Sequence, residues 1–285
     1  MFSVLLALAT HPCHAADDGS VDAKPKSGLW MKQAIGTGGF PTGLISETKM
    51  QYRTPGPRSD SIVFQDTYLG AGAAIAVSPA FFQAGPTVSI APIDVFDLDL
   101  GASWIGYFDN GLGLMPFDEA SGKLGSDRDA RAAKGEGVGA NAVALTATPT
   151  LKLKLGPIVA FDSWEVSYVH FDQPEGTDSL YTYEPQRDLL LAWEDVAIEH
   201  QAAVIYTIMP GDDGPKLWVG GTVRDRFAAV SPDRSTAAGA VIIARPGTKP
   251  AIPQIVGQSL WYLNDADRSL GSAPNLQAQV SWTFE

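Results

Sequence analysis

The residues best able to act as bases, nucleophiles or metal ligands in this chain are four histidines and a single cysteine. Three of the five, His11, Cys13 and His14, fall in a front segment that reads as a leader. There, the apolar run Phe2–Ala9 is followed by Thr10-His11-Pro12-Cys13-His14-Ala15-Ala16. A short apolar core before a small-residue cleavage site marks residues 1–15 as a signal peptide, cut near Ala15. No Lys or Arg precedes the run, and it is too short to span a bilayer. Pro12 and His14 flank Cys13 where a lipid-attachment site needs small residues. Cleavage leaves His170, His200 and no thiol, which excludes disulfide frameworks, thiolate metal sites and cysteine nucleophiles.

A serine hydrolase needs a base beside its hydroxyl, normally a histidine. His170 lies in Tyr168-Val169-His170-Phe171-Asp172 and His200 in Ile198-Glu199-His200-Gln201, and neither matches the His-x-Ser-Asn-Gly pattern of outer-membrane phospholipases. Alternation puts His200 on a face with Ile198, Ala202 and Val204, aimed outward. The acidic residues Asp109, Asp118, Glu119, Asp127 and Asp129 lack the fixed spacing of a calcium loop. Gly135-Glu136-Gly137-Val138-Gly139 resembles a phosphate loop only in its glycines, because a strand rather than a helix follows. The expectation is no enzyme, and no catalytic, cofactor-binding or metal-ligating residue.

What remains is a set of charges that recur on one side of two-faced strands: Glu47, Lys49, Arg53, Asp97, Asp99, Lys152, Lys154, Glu165, Glu199, Arg224 and Arg226. The last strand shows the pattern most plainly. In Leu276–Glu285 one face carries Leu276, Ala278, Val280, Trp282 and Phe284, the other Gln277, Gln279, Ser281, Thr283 and Glu285. Successive strand side chains point to opposite faces. An oily face opposite a polar one suits a wall with lipid outside and a wet lumen within. Phe96, Leu98, Leu100, Ala102 and Trp104 oppose Asp97, Asp99, Gly101 and Ser103 in the same way. Lys or Arg facing lipid at mid-membrane costs about 2–4 kcal/mol, so the charged set is expected to line the lumen.

Composition agrees. No run of eighteen apolar residues could form a membrane helix, and mean hydropathy is +0.00 because apolar and polar residues interleave. Twenty-nine glycines and twenty prolines suit turns rather than a helical bundle. A net charge of −12 argues against a nucleic-acid partner. The expected fold is therefore all-β: a transmembrane antiparallel up-and-down barrel with an even strand number, roughly 10–12.

Along the chain, residues 16–42 are expected to form a flexible periplasmic segment, with a short strand near Leu29–Ile35, and residues 43–285 to form the barrel. Ala91-Pro92-Ile93 reads as a turn. The stretch 109–138 has no periodicity. Residues 172–195 form a second long connection, a β-extension above the membrane, since Leu189-Leu190-Leu191 does not alternate. Counting back from a periplasmic C-terminus puts both long connections outside and the minimal turn Gly156-Pro157 inside, the usual asymmetry of such barrels.

The Ala91-Pro92 break before a strand ending Trp104-Ile105-Gly106-Tyr107-Phe108, and the aromatic-tipped last strand, resemble uncharacterised porin-like outer-membrane β-barrel proteins of Gram-negative bacteria. One departure is the terminal Phe284-Glu285, where such chains finish on Phe or Trp. The resemblance implies residence in the cell outer membrane, contact with its lipids, and insertion by the barrel-assembly machinery through the C-terminal strand. Trp104, Tyr107, Trp164, Tyr168, Tyr206, Trp218, Trp261, Trp282 and Phe284 are then expected to form aromatic girdles at the interfaces. Function in the cell envelope would be a narrow channel or transporter for small solutes, or a structural membrane protein. A secreted, lipocalin-like soluble barrel is the competing reading, and an outer-membrane enzyme a weaker one. The first two differ in one place: a soluble barrel turns Leu98, Leu145, Leu153 and Trp282 inward, whereas a membrane barrel encloses Asp97, Lys152 and Glu165.

Overall fold

A computed structural model describes residues 27–37, 43–56, 67–119, 130–176, 178–209, 215–247, 252–264 and 274–284. Twelve antiparallel strands close into a barrel: β1 (Gly28–Thr37), β2 (Leu44–Pro55), β3 (Tyr68–Val77), β4 (Phe81–Ile93), β5 (Phe96–Tyr107), β7 (Ala140–Leu155), β8 (Ile158–Phe171), β11 (Glu194–Met209), β12 (Lys216–Ala228), β13 (Arg234–Arg245), β14 (Gln254–Tyr262) and β15 (Asn275–Phe284). Neighbours in sequence are neighbours in the wall, and β1 pairs with β15 to close it, Met31 opposite Phe284 and Thr37 opposite Ala278. Three short strands, β6 (Met115–Phe117), β9 (Tyr181–Glu184) and β10 (Leu189–Ala192), form a separate sheet drawn from the two long connections.

The wall is inside-out relative to a soluble protein. Leu145 and Leu153 are each 52% exposed, while Asp97 and Glu165 are each 8% exposed. Contacts between strands that are not wall neighbours prove which face is interior: Lys49 of β2 reaches Asp99 of β5, and Arg224 of β12 reaches Gln277 of β15. Apolar side chains outside and enclosed charges inside describe a membrane-spanning barrel, whose closure leaves no unpaired edge in lipid. The lipocalin-like alternative is excluded, because its core would lie where these carboxylates and ammonium groups are.

Three sequence expectations change. Residues 28–37 are a full wall strand rather than part of a flexible segment, so the barrel begins before residue 43. The signal was weak because the interior face of β1 carries Trp30 and Ala34 beside Lys32, and its outer face carries Gln33. Strand β4 continues through Ala91-Pro92-Ile93, and the turn falls at Asp94-Val95; Pro92 is exposed at the end of the strand, where a missing N–H costs nothing. The connection 172–195 does not rise free above the barrel but folds into its mouth.

Wall curvature depends on glycine at close backbone approaches. A Cβ on Gly85 would collide with the backbone carbonyl of Ala102 on β5, and one on Gly72 with that of Met50 on β2. The β4–β5 ladder opens beside Gly85, where pairing passes from Ala84–Trp104 to Thr87–Gly101. Glycine here lets the strand bend where a side chain would force the sheet apart.

Candidate functional site

The lumen is the site, and its contents are built from alternate residues of nearly every strand. On β2 the inward set is Glu47, Lys49, Gln51 and Arg53, with Met50 (44% exposed) and Tyr52 (57%) outward. Lys49 Nζ donates to Asp99 Oδ1 at 2.8 Å, and Ser89 donates to the same carboxylate oxygen. Gln51 Nε2 donates to Ser89 Oγ at 2.7 Å. Lys152 pairs with Asp97 on the neighbouring strand. Arg53 lies between two rings, its guanidinium carbon 3.6 Å from the Trp30 centroid and 4.2 Å from that of Tyr68, a cation–π sandwich near the inner end.

On the opposite wall Arg226 is 1% exposed; its Nε donates to Glu199 Oε2 at 2.7 Å and its Nη1 to Asp188 Oδ2 at 3.4 Å. Arg224 Nη1 donates to Gln277 Oε1 at 3.3 Å. Glu165 is enclosed and accepts from Ser167. Lys154 has inward parity but sits exposed at the end of β7. Below the Arg226 network, Val159, Ile205, Val241, Ile243 and Val256 form an apolar cluster inside the barrel.

Trp218 packs against that cluster, so it is an interior residue and not part of a girdle. Tyr107 also departs from the girdle expectation. It is 5% exposed, its ring packs near Phe81 and Phe171, and its hydroxyl donates to Glu184 Oε1 at 2.7 Å. Its parity on β5, shared with Asp97 and Asp99, dictates the inward direction. Trp104 (48% exposed), Tyr168, Tyr206, Trp261 and Phe284 face outward, with Trp282 partly exposed on the same face as Phe284. Trp164 faces outward from mid-strand rather than from an end, stacked on His200 at 4.2 Å. His200 Nε2 lies 2.6 Å from Asp162 Oδ1 on that outer surface, and His170 is exposed beside Glu194. Both histidines therefore point away from the lumen. Asp127 and Asp129 lie outside the described residues.

The decisive element is the one that alternation could not find. Strands β9 and β10 form a hairpin whose tip, Glu184-Pro185-Gln186-Arg187-Asp188, enters the lumen. Leu189 and Leu191 pack into the main buried cluster with Phe81, Ile105, Tyr107 and Phe171, while Leu190 packs on the other side with Met115, Phe117 and Tyr183. An unbroken leucine run is what a strand buried on both faces requires. Glu184, 0% exposed, accepts from Tyr107 of the wall and from the backbone N–H groups of Gln186 and Arg187. Asp188 takes φ +55°, a left-handed conformation that Asp tolerates better than most residues. It accepts from Tyr183, Arg226 and Tyr262. Gln186 Nε2 donates to Gln83 Oε1 of β4 at 2.7 Å. Burial works against the Arg187 cation, but Glu184 beside it more than offsets this and holds the guanidinium above its usual pKa. At the root of the hairpin, Asp195 (2% exposed) accepts from the backbone of Ala192, Val196, Val230 and Ser231.

No family model matches the chain, and no curated protein does either. Among solved structures it is similar to the β domain of the Bordetella autotransporter BrkA, with 9% identity, a TM-score of 0.46, and coverage of 91% of this chain and 99% of that one. The translocator domain of the autotransporter NalP from Neisseria meningitidis aligns with 10% identity and a TM-score of 0.39, over 93% and 90% of the two chains. An outer-membrane channel from Pseudomonas putida F1 aligns with 12% identity and a TM-score of 0.40, over 94% and 99%.

Proposed function

We propose that the protein is a gated, narrow outer-membrane channel for small polar solutes, closed in this structure by the β6–β9–β10 plug. The observation that carries this reading is the plug tip. Its polar groups are tied to opposite parts of the wall, Glu184 to Tyr107 on β5 and Asp188 to Arg226 and Tyr262 on β12 and β14. A merely structural barrel could fill its interior with wall side chains alone. A loop sealed by ion pairs and hydrogen bonds can instead leave when those bonds are exchanged for water or solute. The described histidines face the outer surface, so no described imidazole acts in the lumen. The enclosed charges of both signs suit polar solutes over lipids.

Single-channel recording in planar bilayers tests the gate. The unmodified protein is expected to sit mostly closed, with brief openings, and replacement of residues 180–192 by a short Gly-Ser linker to give steady conductance. In the variant Gln83→Cys/Gln186→Cys, a bifunctional thiol cross-linker should abolish openings until it is cleaved. The only natural cysteine is Cys13, in the expected leader. Equal conductance with and without the hairpin would refute the gate.

A further inference from the structure

We infer that the outer wall formed by β8, β11, β12, β13, β14 and β15 docks a second copy of this chain, upright in the same membrane and related by a two-fold axis. A charged cluster where lipid is expected points there. His200 Nε2 lies 2.6 Å from Asp162 Oδ1, with Trp164 stacked on the imidazole. In register, His200 faces Asp225 on β12, which accepts two bonds from Arg234 and one from the Thr236 hydroxyl. Asp162 stands four residues from the Ile158 end of β8, and His200 six from the Glu194 end of β11. At roughly 3.3 Å per residue and a tilt of roughly 40°, both lie about 10 Å or more inside the wall. Val166, Val204 and Val223 share their face, each more than a third exposed. The signs match within the cluster, yet the Asp162 side chain is 43% exposed. Acyl chains cannot hydrogen-bond to the remaining lone pairs of this carboxylate, so a polar cover is favoured over lipid.

A complementary feature lies farther along the same wall. A groove of about 700 Å³ opens on the outer surface, floored by Ala240, Gly257, Ser259 and Ala278 and rimmed by Ile242 and Leu276. Gly257 faces into it, since a Cβ there would come within 3.2 Å of the Ile242 side chain. Between cluster and groove, the small residues Gly221, Ala238 and Ala240 meet at the β12–β13 seam, where two walls can approach closely. Two copies upright in one bilayer are related by an axis along the membrane normal, which preserves height and exchanges left with right. With that axis on the β12–β13 seam, β8 meets β15 of the second copy and β11 meets its β14. Trp164, 40% exposed and mid-strand, then enters the groove beside Ala278, and the His200–Asp162 pair comes against the Ser259 hydroxyl. Each copy supplies one ring and one groove, so both contacts form twice. Six adjacent strands about 4.8 Å apart, across an apolar band roughly 25 Å tall, present a face close to the roughly 800 Å² each partner brings to a standard interface. A phosphate headgroup suits the cluster less, because it would meet the carboxylates of Asp162 and Asp225.

Disulfide trapping between copies tests this geometry, since the only natural cysteine is Cys13, in the expected leader. Trp164→Cys and Ala278→Cys proteins, mixed in phosphatidylcholine vesicles and oxidised, should give a mixed disulfide dimer. Either variant alone should give at least tenfold less. Sedimentation equilibrium in detergent should show a reversible dimer of the unmodified protein. Ala278→Phe, which fills the groove from its exposed side, should weaken that dimer at least tenfold while keeping the fast-migrating folded band. A monomer at every protein-to-detergent ratio, no mixed disulfide above the single-variant level, or unchanged dimerisation by folded Ala278→Phe would overturn the assignment. A monomer that gains stability from anionic lipid would overturn it as well, and give the cluster to a headgroup. None of these readouts depends on the gate.

Discussion

Arg226 joins the plug to the wall through one side chain, because it is shared by Glu199 of β11 and Asp188 of the hairpin. Truncating one partner of a buried ion pair leaves the other charge enclosed and unpaired, at a cost of about 3–5 kcal/mol. Arg226→Ala should therefore destabilise the barrel by about that amount, measured as a lower urea midpoint in detergent, and should expose the hairpin to proteases. A different residue-scale test uses the outer face. Leu145→Arg places a guanidinium against lipid and should cost about 2–4 kcal/mol if its height is near the midplane. Thr146→Arg, one residue on and facing the lumen, should leave the midpoint nearer to wild type. Equal penalties would mean that both faces meet the same medium.

Among the elements, the two ends of the lumen carry different groups. The β9–β10 hairpin enters the mouth from which the long connections spring, and the Trp30–Arg53–Tyr68 stack lies inside the wall near the other end. If the proposed channel holds, constrictions in series limit flow by the tighter one. Arg53→Ala alone should change conductance little while the plug is seated, yet should raise it further in the hairpin-deleted protein, a non-additive pattern readable in bilayers. Strand β4 supplies another element-scale prediction. Gly85→Val forces a side chain into the Ala102 carbonyl and should block barrel closure, read as loss of the fast-migrating folded band on unheated gels. Gly156, whose neighbourhood is open, should accept Asn at its φ of +59° with little loss.

For the whole molecule, the polarity of the wall decides the solvent. Leu29, Leu69, Leu145, Leu151, Tyr206 and Leu276 are all more than half exposed, an apolar surface far beyond what a soluble monomer carries. The purified chain should aggregate in plain buffer and fold in detergent or liposomes, with heat-modifiable gel migration as the readout. A stable monomer in buffer without detergent would contradict the membrane assignment. The lumen charges named above and Lys32 balance in sign: Lys32, Lys49, Arg53, Lys152, Arg187, Arg224 and Arg226 against Glu47, Asp97, Asp99, Glu165, Glu184, Asp188 and Glu199. Since the chain carries a net −12 overall, the excess of acid lies largely outside this network.

Alternation by itself determined which side chains of β2, β5, β7, β8, β11, β12 and β15 look inward, because a strand has only two faces and lipid tolerates only one kind. The inward direction of Glu47, Asp97, Glu199 and Arg226 was legible for that reason, and so was the outward one of Trp104 and His200. Periodicity is silent where a strand is buried on both sides or where small residues blur the contrast. That is why Leu189-Leu190-Leu191 reads as part of an extension above the membrane and Gly28–Thr37 as a short strand within a flexible segment. Tyr107 and Trp218 depart from the girdle because nearness to a strand end does not set direction; parity does, and theirs is inward. Tertiary structure alone decided that the hairpin tip meets Arg226 and Tyr107. It also decided that Glu47, Glu165 and Arg187 share one cavity, since contact across a lumen depends on closure of the wall and not on spacing along the chain.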